Sequence, residues 1–247
     1  MTGRITDILR YPIKSHGREA VARVTLRAGH TLPWDRLWAV AHEASEADGT
    51  EWVRCGNFTR GAKAPGLQAI AAKLDEDTGT ITLTHPELGA LTFRPDDEGQ
   101  RLIDWTRPLM PEGRAASDRV VRAQARGMTD SDFPSVTLCN RASHRAVEQR
   151  LGRELSIHRW RGNLWFDGLA PWEEFDWIDR EIRIGRAVVI PRERTTRCLM
   201  THANPETGQR DADILGTLDH WDHRDFSVMA EVIQGGEIAT GDEIGSA

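Results

Sequence analysis

Four separated segments carry basic, hydroxyl or thiol side chains beside apolar runs: Tyr11-Pro12-Ile13-Lys14-Ser15, Asp35-Arg36-Leu37-Trp38, Arg161-Gly162-Asn163 and Thr196-Arg197-Cys198. At strand ends, such residues reach a ligand without disturbing a core. Arg36, Arg161 and Arg197 offer planar forks suited to phosphate oxygens, whereas Lys14 is a point charge and Ser15 a neutral donor. Together they can neutralise a phosphorylated ligand. Cys198 follows Arg197 directly and shares its segment with Arg192 and Arg194. Nearby positive charge favours the thiolate, the form that a soft metal binds.

Each residue alone has a plainer reading. Arg36 precedes the apolar run Leu37 to Val40 and can simply pair with Asp35; Lys14 and Ser15 fit a solvated loop; Arg161-Gly162 fits a turn. A lone intracellular cysteine is most often a small buried hydrophobe, and Cys139, inside an apparent strand, keeps that reading. Cys55, in a polar stretch, reads as a surface thiol. Only the joint occurrence of the four segments favours a site. A zinc alternative uses Cys198, His202, His220 and His223, but structural zinc sites usually show close cysteine pairs, and acidic residues and a turn separate these ligands. The nine tryptophans are scattered through both halves, and core packing explains most of them.

The elements that must position these residues read as mostly strands. Short runs at Val21 to Leu26, Leu37 to Ala41, Leu67 to Leu74, Thr80 to Thr84 and Ala90 to Phe93, with turns at Asp77-Thr78-Gly79 and Glu87-Leu88-Gly89, predict a β-rich, barrel-like first part. Polar breaks at Pro95 to Gly99 and Pro108 to Arg114 place the boundary, giving domains 1–98 and 99–247. A strand at Val136 to Cys139 leads to Ser143, an N-cap for a helix His144 to Leu151 that Gly152 ends. Asn163 to Phe166 and Glu181 to Ile190 read as strands, and Phe226 to Ile233 with Glu237 to Ile244 as a closing pair around Gly235-Gly236. The fold class is therefore α+β, mostly β, with a barrel-like N-terminal domain packed on a second β-rich domain.

With 247 residues the chain can bury a full core without staples. A formal charge of −6 and the lack of a basic run argue against a sequence-independent grip on nucleic acid. Three widely spaced cysteines form neither a disulfide framework nor a paired metal pattern and point to a reducing cytoplasm. The opening residues lack an apolar leader, and no stretch approaches the roughly 20 apolar residues that span a bilayer. The expectation is a soluble, cytoplasmic protein with no membrane contact.

The run Arg197-Cys198-Leu199-Met200-Thr201-His202-Ala203-Asn204-Pro205-Glu206-Thr207-Gly208 resembles the cysteine segment of MOSC domains, named for the molybdenum cofactor sulfurase C-terminus. Tyr11 to Ser15 resembles the opening of the β-barrel domain that precedes it in one branch. Arg161-Gly162-Asn163 before Trp172 to Gly185, and the closing Gly235 to Asp242, extend the likeness over nearly the whole chain. That branch includes the mitochondrial amidoxime-reducing component and its bacterial relatives, which reduce N-hydroxylated compounds at a molybdenum centre.

The resemblance implies that Cys198 ligates molybdenum and is the catalytic residue. It also implies that Lys14, Ser15, Arg36, Arg161, Asn163, Thr196 and Arg197 hold a molybdopterin and its phosphate, with Asn140 and Arg141 of the segment Asn140 to Ser143 touching the same cofactor. Two departures stand out. Asn204 takes the place of an aspartate found in many relatives, which removes a proton-handling carboxylate, and His16-Gly17 follows Ser15 in an unusual order. No ferredoxin-like cysteine cluster follows, so electrons would come from a separate ferredoxin- or flavoprotein-type partner. Three functions compete: a reductase of N-hydroxylated small molecules, a sulfur or cofactor carrier using Cys198, and a bare anion-binding module.

Overall fold

In the computed structural model, which describes residues 2–246, apolar runs fold into strands through most of the chain. The first half holds β1 (Gly3–Arg10), β2 (Glu19–Val21), β3 (Arg23–Leu26), β4 (Trp38–His42), β5 (Ala71–Asp75), β6 (Thr80–His85), β7 (Gly89–Phe93), α1 (Pro95–Thr106) and β8 (Ser117–Arg122). The second holds β9 (Val136–Asn140), α2 (Arg141–Leu151), β10 (Leu164–Asp167), β11 (Ile182–Ile184), β12 (Ala187–Thr196), α3 (Ile214–Leu218), β13 (Asp225–Gln234), β14 (Gly236–Ala239) and β15 (Glu243–Ser246). The class is α+β and mostly β, as expected. No helix among the described residues is long and apolar enough to cross a membrane.

β10, β9, β13, β12, β11, β15 and β1 are hydrogen-bonded in that order, and β1 pairs back onto β10 to close a seven-stranded barrel. The barrel thus takes six strands from the second half and one from the very start. That strand escapes a period-2 reading because Ile5 and Ile8, an odd number of positions apart, both enter one core. A bulge resolves the parity: Ile5 faces Phe166 and Asp7 faces Trp165, leaving Thr6 without a partner on β10. Ile8, Leu138, Leu164, Phe166, Val228 and Ala230 fill the interior, each fully buried, and burying a side chain of Val to Phe size contributes about 1.5–3 kcal/mol.

A second apolar layer covers the outside of the barrel. There Trp160 stacks on Phe226 with ring centroids 3.7 Å apart, and Leu9, Val147, Ile214 and Leu218 surround them. His144 joins this layer as a neutral ring, since Nδ1 accepts from Trp160 Nε1 at 3.0 Å while Nε2 donates to the Leu155 carbonyl at 3.0 Å. α2 starts earlier than Ser143 suggests: Asn140 Oδ1 accepts from Ala142 N at 2.9 Å and caps the helix, and Gly152 ends it at φ 78°. Ser143 turns inward instead and donates to Glu174.

The first half packs around its own apolar cluster of Trp38, Val40, Ile81, Leu83, Phe93 and Leu102, built from the β5–β6–β7 meander, the β4–β8 pair and α1. The polar stretch Pro95 to Gly99 proves to be the first turn of α1, where proline at N1 and three acidic residues suit a helix start. Leu102 and Ile103 of α1 enter the same cluster as residues before 98, and β8 pairs with β4. A division after residue 98 therefore falls inside a helix. The closing strands also pair otherwise than expected: β14 lies on β3, and β15 lies on β11 and β1.

Glu174 is fully buried beneath α2 and accepts from Asn140 Nδ2 at 2.9 Å and Ser143 Oγ at 2.8 Å. Burial outweighs these bonds and pushes its pKa up to about 7. A carboxyl whose folded pKa is raised stabilises the fold at acid pH and loses that contribution as pH rises through the folded value. Denaturant midpoints of the wild type are expected to fall relative to Glu174→Gln as pH is raised from 5 to 8. Parallel curves for the two proteins across that range would contradict this account.

Candidate active site

The loops after β1 and before β4 and β10 converge on the last residues of β12 and enclose a cleft of about 630 Å³. Its lining includes Lys14, Ser15, Arg36, Arg161, Thr196, Arg197 and Cys198. Main-chain bonds tie these loops together: Lys14 N donates to Trp38 O at 2.7 Å, Arg36 N to Tyr11 O at 2.7 Å and Arg197 N to Arg224 O at 2.8 Å.

Tyr11 is the hub. Its ring is fully buried, with the guanidinium carbons of Arg36 and Arg161 at 4.7 and 4.3 Å from its centroid. Its hydroxyl donates to Gly162 O at 3.0 Å, and its backbone N–H donates to Asp35 Oδ1 at 2.8 Å. Asp35 pairs with Arg36 through its other oxygen, while Arg36 Nη2 donates to Arg161 O at 2.8 Å. Burial opposes the Arg36 charge, but Asp35, with Tyr11 and Asp130 nearby, outweighs it and raises its pKa.

Among the described residues, no such carboxylate pairs with Arg161 or Arg197. Arg161 donates to Gly17 O at 3.2 Å and to Gln68 Oε1 at 3.5 Å, both neutral. Burial pulls its pKa down to about 10, with Arg36 adding repulsion. Arg197 donates to Trp160 O at 2.9 Å, and its Nε is buried without a hydrogen-bond partner; burial lowers its pKa too. Lys14 is neutralised by Asp130 at 2.6 Å and also donates to Met128 O. One buried and one half-buried cation, both held by neutral partners, are suited to an anion, because each gains most from a charge that enters the cleft.

The backbone is strained where the cleft is built. Ser15, Arg36 and Arg161 adopt left-handed φ values of 66°, 52° and 50°, and non-glycine residues there cost on the order of 1–3 kcal/mol each. Gly162, next to Arg161, has no room for a side chain: a Cβ would lie 2.1 Å from Cys139 Sγ. Cys139 is fully buried, and burial pushes its thiol up to about 12. It is a packing residue that fixes where the Arg161 loop runs.

Cys198 is exposed on the cleft wall and leads into the turn Leu199–His202, with its carbonyl accepting from Thr201 N at 3.1 Å. Arg159, fully buried, braces that turn through His202 O at 3.1 Å and Asp211 Oδ1 at 2.5 Å. Asn204 bonds Asp211 and the backbone of its own turn, which is a structural use of its amide. The zinc alternative fails: His202 Nε2 accepts from Leu215 N at 3.2 Å, and among the described residues no three His, Cys, Asp or Glu gather as metal ligands.

Three sequence candidates lie outside the lining. Asn140 caps α2 and bonds Glu174; Arg141 pairs with Asp7 at 2.5 Å; Asn163 joins β1 to β9 through Leu9 O and Thr137 N. Their strand-end positions made them look available, and tertiary bonds consume them. Cys55, read from the sequence as a surface thiol, also lines the cleft, as do Arg60, Lys63, Thr129 and Asp130, which the sequence does not single out. Only the fold brings these loops to the cleft, and no local pattern marks them.

Two family models match the chain: the MOSC N-terminal beta barrel domain over residues 2–123 and the MOSC domain over residues 128–245. It is 24% identical over 246 residues to mitochondrial amidoxime-reducing component 1 of Mus musculus, covering 85% of this chain and 68% of that protein. It is 29% identical over 140 residues to the molybdenum cofactor sulfurase of Anopheles gambiae, covering 49% of this chain and 18% of that protein. The crystal structure of the YUAD protein from Bacillus subtilis aligns with 99% of this chain and 94% of its own, at 10% identity and a TM-score of 0.48. With one model on each half, in the order that the cleft-forming segments require, the chain belongs to the MOSC family and carries the MOSC N-terminal beta barrel domain ahead of its MOSC domain.

Proposed function

We propose that this protein is a molybdenum-cofactor-dependent oxidoreductase that removes oxygen from N-hydroxylated or related N-oxide and S-oxide small molecules. The observation that carries this reading is the pairing of an exposed cysteine thiol with two guanidinium groups, the buried Arg161 and the half-buried Arg197, that have no carboxylate partner among the described residues. The lining fits a metal bound to an anionic pterin: Cys198 supplies one soft ligand, and the unpartnered Nε of Arg197 is a donor in reserve. Lys14, Ser15, Arg36, Arg161, Thr196 and Arg197 would hold the pterin and its phosphate. When bound, the cofactor supplies two-electron oxygen-atom chemistry.

The protein's own residues bind, orient and shield. Arg36 and Arg161 are fixed on Tyr11 before any ligand arrives, so little ordering entropy is lost on binding. Thr196 Oγ1 donates to Asp225 Oδ1 at 2.7 Å, so its proton must leave that bond before the hydroxyl can donate to a phosphate. Reduction of an N-hydroxy group to an amine consumes two electrons and two protons and releases water. The electrons come from a separate ferredoxin- or flavoprotein-type donor.

A second reading, a sulfur or cofactor carrier, draws on the openness of Cys198 and on Leu199 beside it, which is 46% exposed. A carrier is used once per loading, whereas a reductase cycles.

Protein produced with the cofactor pathway is expected to hold molybdenum and pterin in near-equal amounts and to reduce a hydroxylamine or amidoxime many times per molybdenum with an artificial donor. At most one turnover, with labelled sulfur on Cys198, would establish the carrier. Cys198→Ala is expected to abolish turnover without moving the melting temperature, while Cys139→Ser, by leaving a buried hydroxyl, should lower stability instead.

Arg197→Gln tests the anion site without orphaning a carboxylate. Losing a charge-assisted bond of about 1.5–3 kcal/mol should weaken cofactor retention roughly tenfold to a hundredfold. Pterin content measured after dialysis at rising salt reports it, and wild-type retention in the variant would return Arg197 to a packing role.

A further inference from the structure

A second cavity of about 670 Å³ shares a wall with the cleft, and the residues common to both are Arg60 and Lys63. They lie on one tight turn, in which Lys63 N and Ala64 N both donate to Arg60 O at 3.0 Å. The turn packs against the cysteine segment: a Cβ on Gly61 would touch Met200 at 3.2 Å, and Arg210 Nη2 donates to Ala62 O at 2.8 Å. Arg60 is thereby held close to the turn that carries Cys198.

Neither cation is neutralised. Among the described residues, no carboxylate lies within ion-pair reach of Arg60 or Lys63, and the side-chain bond of Arg60 runs to Cys55 Sγ at 3.5 Å. In a chain of net charge −6 this local excess is conspicuous. Lys14 has Asp130 and Arg36 has Asp35, and the proposed cofactor phosphate meets Arg161 and Arg197, so Arg60 and Lys63 remain for a second anion. Beyond them the lining of the second cavity is mixed, with Phe58, Ile103 and Met110 beside Glu112 and Asp118, neither of which is in ion-pair contact with Arg60 or Lys63.

We propose that Arg60 and Lys63 form a specificity subsite that holds the carboxylate of an anionic N-oxygenated substrate, whose reducible group faces Cys198. The inference rests on the reductase reading and narrows it to a substrate class. A bidentate guanidinium and a neighbouring ammonium suit a carboxylate or a phosphate monoester alike.

The test uses holo-protein and a matched pair, benzamidoxime and its para-carboxylate. Arg60→Gln with Lys63→Gln is expected to lower the ratio of kcat/KM for the carboxylate over the neutral compound by roughly tenfold, as loss of a charge-assisted contact requires. Calorimetric binding of the two compounds gives a readout independent of turnover, and the wild-type preference for the carboxylate should vanish in the double variant. Equal effects on both compounds would overturn the subsite. Loss of pterin from the double variant would overturn it too, by assigning the pair to the cofactor's phosphate. Carboxylate-selective binding that the substitutions abolish, without turnover of either compound, would uphold the subsite and sink the reductase reading.

Discussion

Arg36 and Arg161 press against one buried tyrosine ring, and the geometry of the cleft depends on that contact. Burying two guanidinium groups side by side is unfavourable by itself, since each loses hydration and each repels the other. Tyr11 offsets this with its ring face, its bond to Gly162 O and its backbone N–H, which anchors Asp35. The loops after β1, before β4 and before β10 are thus joined through one side chain and its neighbours. Removing any one of them leaves a buried polar group of another loop without its partner.

The strain follows from the same constraint. Aiming Ser15, Arg36 and Arg161 into one space demands left-handed backbone at each, a conformation that only a well-packed frame sustains. The barrel provides the frame through Cys139, whose sulfur abuts Gly162, and through Trp160 stacked on Phe226 with Arg197 above both rings. Packing and charge are coupled here: the apolar layer outside the barrel also fixes the cations.

Much of this was legible in the residues. The four cleft segments announced themselves by type, and seven of their side chains do line one cavity. Strands β4, β6, β7, β9 and β13 lie close to where alternation and turn residues put them. β1 was hidden because its bulge breaks the alternation that marks a strand. α1 was hidden because proline and acidic residues signal both a break and a helix start. Asn140, Arg141 and Asn163 looked available because their partners, Glu174, Asp7, Leu9 and Thr137, are distant in sequence or belong to elements of unknown placement. Arg60 and Lys63 escaped notice for the opposite reason, since nothing local distinguishes their turn from any solvated loop.

The pairing of Gly3 with Ile244 gives the barrel an order of assembly. These neighbouring staves are far apart in the chain, so β1 stays unpaired on that edge until β15 reaches it. Contacts this far apart in sequence carry a large loop-closure entropy and slow the final step of folding. The loop with Lys14 and Ser15 hangs from β1, so the wall it gives the cleft takes its final place only when β1 is held in the closed barrel.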